Sequence, residues 1–528
     1  MIRRPPLRRA AFALALPAVL GAVRAGAAIG TTETMSVTPA GNVGSAASDV
    51  PHVSATGRFV VFDSYAVDLM DGGNSNVGHV FLRDRDADTT EIVTLNSAGQ
   101  PANGVSFTPY VTPDGRFVVF HSHATNLDGA DANGETRDVY LRDRVLATTE
   151  RISVSTAGVQ GDRESAFGTV SDDGRFVAFS SSARNLVGDD LNGMNDIFVR
   201  DRTTGTTERV SIGLAGDPDG FSSGIPVISG DGRFVAFASQ AKNLVRKDTN
   251  NTSDVFVFDR ATRTTERVSV TRTGKQTNNS SQGPWISANG RFVAFESFAT
   301  NLGVKMAEGH RGIHIHDRIL HRTDPVSTPP RGSKLDRSSF TPSVSDDGRV
   351  VAFVSQASVL VAGDTNDEMD AFVVDRMTGV TERVSRTSAG GQIVDPVTAG
   401  RVSRDGRTVV YGTADPSIAP NDANGATDVF AVGLDLPPGN QPPVARAGDD
   451  RSIVSPTKKT KVQLDGTAST DPEGTKLKFK WLLAGKSLST SSRPKLSLVA
   501  GVHTLTLVVT DKKGLLGIDD VVITILAE

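Results

Sequence analysis

The 528 residues include no cysteine. Disulfides, thiolate metal sites and cysteine nucleophiles are excluded, so a protein exported with this sequence is held together by packing alone. Aromatic residues make up 6% of the chain, Trp occurs twice and His nine times. Beyond the N-terminus no segment is long and apolar enough to cross a bilayer, and no glycine-rich phosphate loop precedes a helix. Glycine is abundant, at 52 residues, alongside 38% hydrophobic and 22% charged residues. That balance fits many tight turns and short strands around real cores, and it argues against wholesale disorder.

The first 27 residues read as a secretory signal peptide. Arg3, Arg4, Arg8 and Arg9 form a basic n-region, Ala10 to Val23 an apolar h-region, and Ala25-Gly26-Ala27 a small-x-small cleavage site. The Arg8-Arg9 pair leaves both the general secretory and the twin-arginine routes open. Without this segment the chain carries 51 basic and 60 acidic residues, a net charge of −9. The charge is uneven: Asn440 to Glu528 is +4 and the rest −13. An acidic body argues against nucleic acid as a partner.

A Gly-Arg pair followed by an apolar run recurs at Gly57, Gly115, Gly174, Gly232, Gly290, Gly348 and Gly406, with spacings of 58, 59, 58, 58, 58 and 58. Such a period marks a repeat architecture. Each copy holds four strand-like runs, A to D. In the third copy they are Ala166 to Ser171, Arg175 to Ser181, Asp196 to Asp201 and Thr206 to Ile212, with a hairpin signal at Asp172-Asp173-Gly174. Runs B and C are almost continuously apolar, as strands covered on both faces are. Run D is more polar, and in the fifth copy it contains Pro325, which a sheet tolerates at its edge. The last C run, Asp428 to Gly433, has no D run after it. Its counterpart stands at the other end, where Thr31 to Val37 matches Thr148 to Val154. The expected fold is all-β: a seven-bladed propeller over residues 28–436, closed by an N-terminal strand, which leaves no unpaired blade.

The pattern Ser-Asp-Asp-Gly-Arg-Phe-Val-Ala-Phe, followed by Asp-Ile-Phe-Val-Arg-Asp-Arg, resembles the TolB-like propeller repeat, a relative of WD-repeat propellers, from Thr31 to Leu436. The resemblance implies a rigid interaction platform in the periplasm or outside the cell. A Pro-rich linker over residues 437–443 leads to residues 444–528. Their short alternating runs read as a β-sandwich. Pro442 to Gly448, Leu464 to Pro472, Trp481 and Leu505 to Asp511 resemble the polycystic-kidney-disease (PKD) domain, an immunoglobulin-like fold. That resemblance implies a spacer or adhesive module with Trp481 in its core.

Asp84, Asp143, Asp201, Asp259, Asp317 and Asp375 recur before Arg at the end of run C and read as turn caps with ion pairs. The B–C loops carry a further pattern: Asp190, Asn192 and Asp196; Asp248, Asn250 and Asp254; Asp364, Asn366 and Asp370; Asp422, Asn424 and Asp428; and, one residue longer, Asp131, Asn133 and Asp138. Oxygen ligands at this spacing suit Ca²⁺, the one cofactor considered, and they equally suit Asx turns. The first and fifth copies lack the set. His310, His314, His316 and His321 cluster in the fifth copy, where a metal is weighed against drift. Gly220-Phe221-Ser222-Ser223-Gly224 has the hydrolase Gly-x-Ser-x-Gly spacing but falls in a D–A loop, without the strand and helix of a nucleophile elbow.

The expectation is therefore an exported protein without catalysis, periplasmic or at the cell surface. Its long B–C and D–A loops share one face, acidic through Asp131, Asp190, Asp248, Asp364 and Asp422, for a protein or peptide partner. The alternative is a carbohydrate-binding or polysaccharide-acting protein that uses the central channel. Charged or aromatic residues converging on the channel from unlike blades favour the second; a uniform ring of small apolar residues favours the first.

Overall fold

The structure, a computed structural model, describes residues 30–70, 77–220, 222–419, 422–434, 436, 443–457, 459–483, 486–512 and 515–527. The signal peptide and most of the linker lie outside them. Every element among the described residues is a strand, with no helix.

Each repeat folds as an antiparallel sheet in the order A-B-C-D. In the third repeat the strands are Ser165–Val170, Phe176–Ser181, Asp196–Asp201 and Thr206–Arg209. Strand D is shorter than expected, since beyond Arg209 the chain keeps a single backbone bond to strand C, from Val210 N to the Ile197 carbonyl (2.8 Å). Strands B and C are buried on both faces, as continuous apolar runs require. Phe179 and Phe198 are fully buried and stack at 5.7 Å between ring centres. In the fifth repeat His314 takes the place of the second ring and stacks on Phe295. Burial pulls its imidazole pKa down to about 4.

Seven such four-stranded sheets are present, consistent with a propeller. The last joins Val397–Val402, Thr408–Thr413 and Asp428–Gly433 to Thr32–Thr34. Thr34 pairs with Phe430 in the register in which Arg151 pairs with Tyr140.

Neighbouring sheets are joined by a repeated clasp. Arg260, just after strand C, donates to Glu208 of the preceding strand D (2.7 Å) and to the Gly232 carbonyl (2.7 Å). Its guanidinium also lies 4.1 Å from the centre of the Phe176 ring. Gly232 has φ +72°, and a Cβ there would meet that ring at 2.2 Å, so the turn excludes any other residue. The recurrent Asp before the clasp residue accepts two bonds from the Arg at the start of strand B. Arg175 reaches Asp201 at 2.9 and 2.7 Å, and Asp201 also accepts from the amides of Thr203 and Thr204. The ion pair holds the Asp201 carboxyl well below the usual range.

The C-terminal domain is a five-stranded sheet in the order Arg451–Ser455, Leu516–Ala527, Gly501–Thr510, Lys478–Leu483, Lys486–Ser489. It is faced by the pair Thr460–Gln463 and Lys495–Leu498. Trp481 is fully buried in its core, and its indole N–H donates to the Ser491 carbonyl (3.1 Å).

Candidate functional site

The Asp/Asn loops do assemble, around partners that lie far away in sequence. In the second repeat Gln160 Nε2 donates to Asp131 (2.8 Å), Asn133 (2.7 Å) and Asp138 (2.6 Å). Arg151, from strand D, sits 3.6 and 3.4 Å from the two carboxylates. In the fourth repeat Gln276 and Arg267 serve Asp248 and Asp254 in the same way, and Asn250 donates to Asp254. In the sixth, Gln392 and Arg383 serve Asp364 and Asp370, with Asn366 beside them. The third repeat has Asp217 where the others have Gln. Arg209 faces Asp190, Asp196 and Asp217 there, and Asn192 donates to Asp196.

The seventh set differs. Asn424 and Ser36 donate to Asp428 (3.0 and 2.7 Å), but Thr34 and Val43 stand where the others have Arg and Gln. Among the described residues no guanidinium reaches this set, and Asp422 Oδ2 is buried without a hydrogen-bond partner. Burial, with the Asp422 charge adding to it, pushes Asp428 up to about 6.

These carboxylates do not make the loop face acidic. The side chains of Asp131, Asp190, Asp248 and Asp364 are at most 4% exposed. They turn inward because an unsolvated guanidinium beneath them requires a counter-charge. Nor do the fifth-repeat histidines share a centre. His314 stacks in the core, His316 bonds Thr323 and His310 bonds Ser338. The Gly-x-Ser-x-Gly segment opens strand A, Ser222–Ile228, rather than lying in a loop, and Phe221 lies outside the described residues.

The channel gathers unlike residues instead. Strand A of every repeat has a register shift against strand B. At four of these bulges a non-glycine residue takes positive φ: Val50 (47°), Thr108 (52°), Phe167 (58°) and Thr341 (48°). For β-branched residues this is a strained conformation, of a kind concentrated at functional sites, and bulges re-aim side chains. Charged strand-B groups fasten the bulges. Glu296 accepts from the Thr341 amide (2.7 Å) and from Arg311 (2.8 Å). Asp63 lies opposite Asp49, and burial, with Asp49 adding to it, raises its carboxyl to about 7.

Below the bulge, equivalent positions of the seven sheets hold His52, Tyr110, Thr169, Val227, Trp285, Ser343 and Arg401, as their pairing with strand B shows. Four of these converge. His52 stacks on Tyr110 at 3.9 Å and lies 5.7 Å from Trp285, and Arg401 lies 4.7 Å over the Trp285 ring. At the A–B turns Arg404 pairs with Asp172 (2.5 Å), while Asp172 and Asp346 hold the amides of the turns beside them in register. Residues of the first and fifth sheets, and of the seventh and third, thus meet across the axis. They pinch the turn-side end, so a ligand would enter from the loop side. The aromatic, basic and acidic groups there are the convergence that favours the channel reading.

Sequence alone missed these residues because repetition drew attention to what recurs, whereas the channel positions are where the copies differ. The signal was present as a column of unlike residues at the 58-residue period.

Residues 447–525 match a family model of the PKD domain. No curated protein matches this sequence. Among solved structures, the chain is similar to an oligogalacturonate lyase from Vibrio parahaemolyticus, at 10% identity and a TM-score of 0.45, covering 76% of this chain and 96% of that one. It is similar to a putative TolB from Agrobacterium tumefaciens, at 16% identity and a TM-score of 0.34, covering 66% and 95%. It is also similar to an acylaminoacyl peptidase from Pyrococcus horikoshii, at 10% identity and a TM-score of 0.45, covering 80% of this chain and 57% of the peptidase. Two of the three are enzymes, which overturns the expectation, drawn from missing motifs, that this chain carries no catalysis. The all-β body is thus similar to TolB and to enzyme-associated folds, and the chain ends in a PKD domain.

Proposed function

We propose that this is an exported seven-bladed propeller, closed by its N-terminal strand, which takes a carbohydrate chain into the loop-side mouth of its channel. The PKD domain serves as spacer or adhesive module. The N-terminal signal sequence and the PKD match support export. Closure is supported by three bonds between the first and last sheets: Ser48 N to the Thr427 carbonyl (2.7 Å), Asp405 N to the Ala55 carbonyl (3.0 Å) and Thr398 to Asp49 (2.5 Å). Arg85 also clasps Glu33 of the N-terminal strand (2.9 Å) as Arg260 clasps Glu208.

The observation that carries the carbohydrate reading is the convergence of His52, Tyr110, Trp285 and Arg401 in one channel. Aromatic faces beside fixed polar groups bind polyhydroxylated rings, and concave sites with few placed polar groups are ordinary ligand sites. The loop-face partner loses its main support, since the carboxylates meant for it are internal. The test is calorimetry of the full chain against a panel of oligosaccharides. At least one is expected to bind, and Trp285→Ala is expected to weaken it tenfold or more while the circular dichroism spectrum is kept. Binding that is absent from the whole panel, or unchanged in a folded Trp285→Ala protein, would refute the reading.

We also infer that calcium, if it binds the Asp/Asn loops, competes with a guanidinium in four repeats and with none in the last. In chelated protein, added Ca²⁺ is expected to raise the melting temperature through Asp422, Asn424 and Asp428. A rise that persists in Asp428→Asn would place the ion elsewhere.

A further inference from the structure

Arg401 is the only charged residue among the seven equivalent channel positions. Its Nη1 donates to the carbonyls of Thr341 (2.9 Å) and Gly400 (3.2 Å). Among the described residues Nε and Nη2 have no acceptor, and no carboxylate comes within ion-pairing distance of the guanidinium. Glu296, the acid that acts on it through space, already receives Arg311 and the Thr341 amide. The second channel arginine, Arg404, is engaged with Asp172. His52 is no counter-charge either: burial, then the charges of Arg401 and Arg404, keep it neutral.

A cation surrounded by protein and lacking a partner is costly. Burial draws the Arg401 pKa down to about 10, the direction expected of an uncompensated charge. Trp285 fixes the plane of the guanidinium from one side. Two free N–H groups in a fixed plane match the two oxygens of a carboxylate, a geometry an ammonium cannot reproduce.

We propose that Arg401 binds the carboxylate of an acidic sugar in the channel, so that the carbohydrate taken is an anionic one. The inference rests on the channel reading above and adds the charge of the ligand to it. Asp49 and Asp63 line the wall of the first sheet, so the acidic group of the ligand is steered to the seventh sheet, where Arg401 is.

The experiment is calorimetry of the full chain with tetrasaccharides of glucuronic, mannuronic and galacturonic acid, each beside its carboxyl-reduced form. At least one acid form is expected to bind 30-fold or more tightly than its reduced form. Arg401→Met is expected to abolish that preference without lowering the melting temperature, since it removes an unpaired charge. Arg401→Lys, a point charge without a fork, is expected to restore only part of it. Reduced forms that bind as well as acids in the unaltered protein, or a preference surviving in Arg401→Met, would overturn the inference and leave the channel reading standing. If Arg401→Met proves unfolded, Arg401→Lys decides: a preference equal to that of the unaltered protein overturns the bidentate assignment. If neither acid nor reduced forms bind while another oligosaccharide does, the anionic assignment falls alone. If no oligosaccharide binds, both fall.

Discussion

Removing residues 30–38 is expected to lower the melting temperature by about 5 °C or more and to make the protein prone to aggregate. The segment is short, but most of its interactions are internal. Met35 and Val37 are 2% and 8% exposed, packed in or beside the core of the first and last sheets. Burying two such side chains contributes roughly 1.5–3 kcal/mol each. Ser36 donates to Asp428, and the Val429 amide donates to Ser36. Without Ser36, the fully buried Asp428 loses a donor that offsets its desolvation. The clasp between Arg85 and Glu33 also goes. What remains is strand Asp428–Gly433 as a bare edge, a template for pairing with a second chain. For several hundred residues each kcal/mol moves the transition by only a degree or two, so the fall in melting temperature understates the change. A synthetic peptide of residues 30–38 should restore part of it by filling the vacant edge. A truncated protein that melts within 1 °C of the intact one would show that the N-terminal strand does not complete the last sheet.

That strand was legible in the sequence because the repeat supplies its own ruler. Six copies of Thr-Thr-Glu-Arg or a close variant follow a C strand, and the Thr-Thr-Glu-Thr at 31–34 follows none. Burial of strands B and C was legible for the same reason, since a run such as Phe-Val-Ala-Phe has no polar face to offer water. The bulges in strand A were not. They arise where the innermost strand bends around the axis, and Val50 and Thr108 have no local preference for positive φ. The partners of the Asp/Asn loops were missed although the sequence held a clue. The two copies without the loop set, the first and the fifth, also lack the strand-D arginine and carry Ile92 and Pro325 there. Residues lost together across repeats belong to one cluster. Reading each loop alone suggested a metal, whereas reading the copies against one another points to the arginine.

That pairing leads to the second large expected effect. Arg267→Met should destabilise the protein by about 3–5 kcal/mol, the cost of stripping one partner from a buried ion pair. Asp248 and Asp254 are 3% and 0% exposed at the side chain, so neither can turn to water. Gln276 would remain, donating to both, but it brings no charge. Asp254→Asn in the same chain should recover part of the loss, since it removes the repulsion that Arg267 had offset. The two changes are then non-additive, as expected within one network. Calcium tests the same point from the other side. In the unaltered protein the guanidinium already faces both carboxylates, and Ca²⁺ should have little effect at this loop. In Arg267→Met the carboxylates, Asn250 and the vacated space form an oxygen-lined set for a hard cation, and millimolar Ca²⁺ should restore much of the melting temperature. The Arg267→Met protein melting like the unaltered one in chelator would show that the arginine does not balance the loop charges. Destabilisation that Ca²⁺ leaves untouched would show instead that the loop oxygens are fixed for the guanidinium and do not rearrange around an ion.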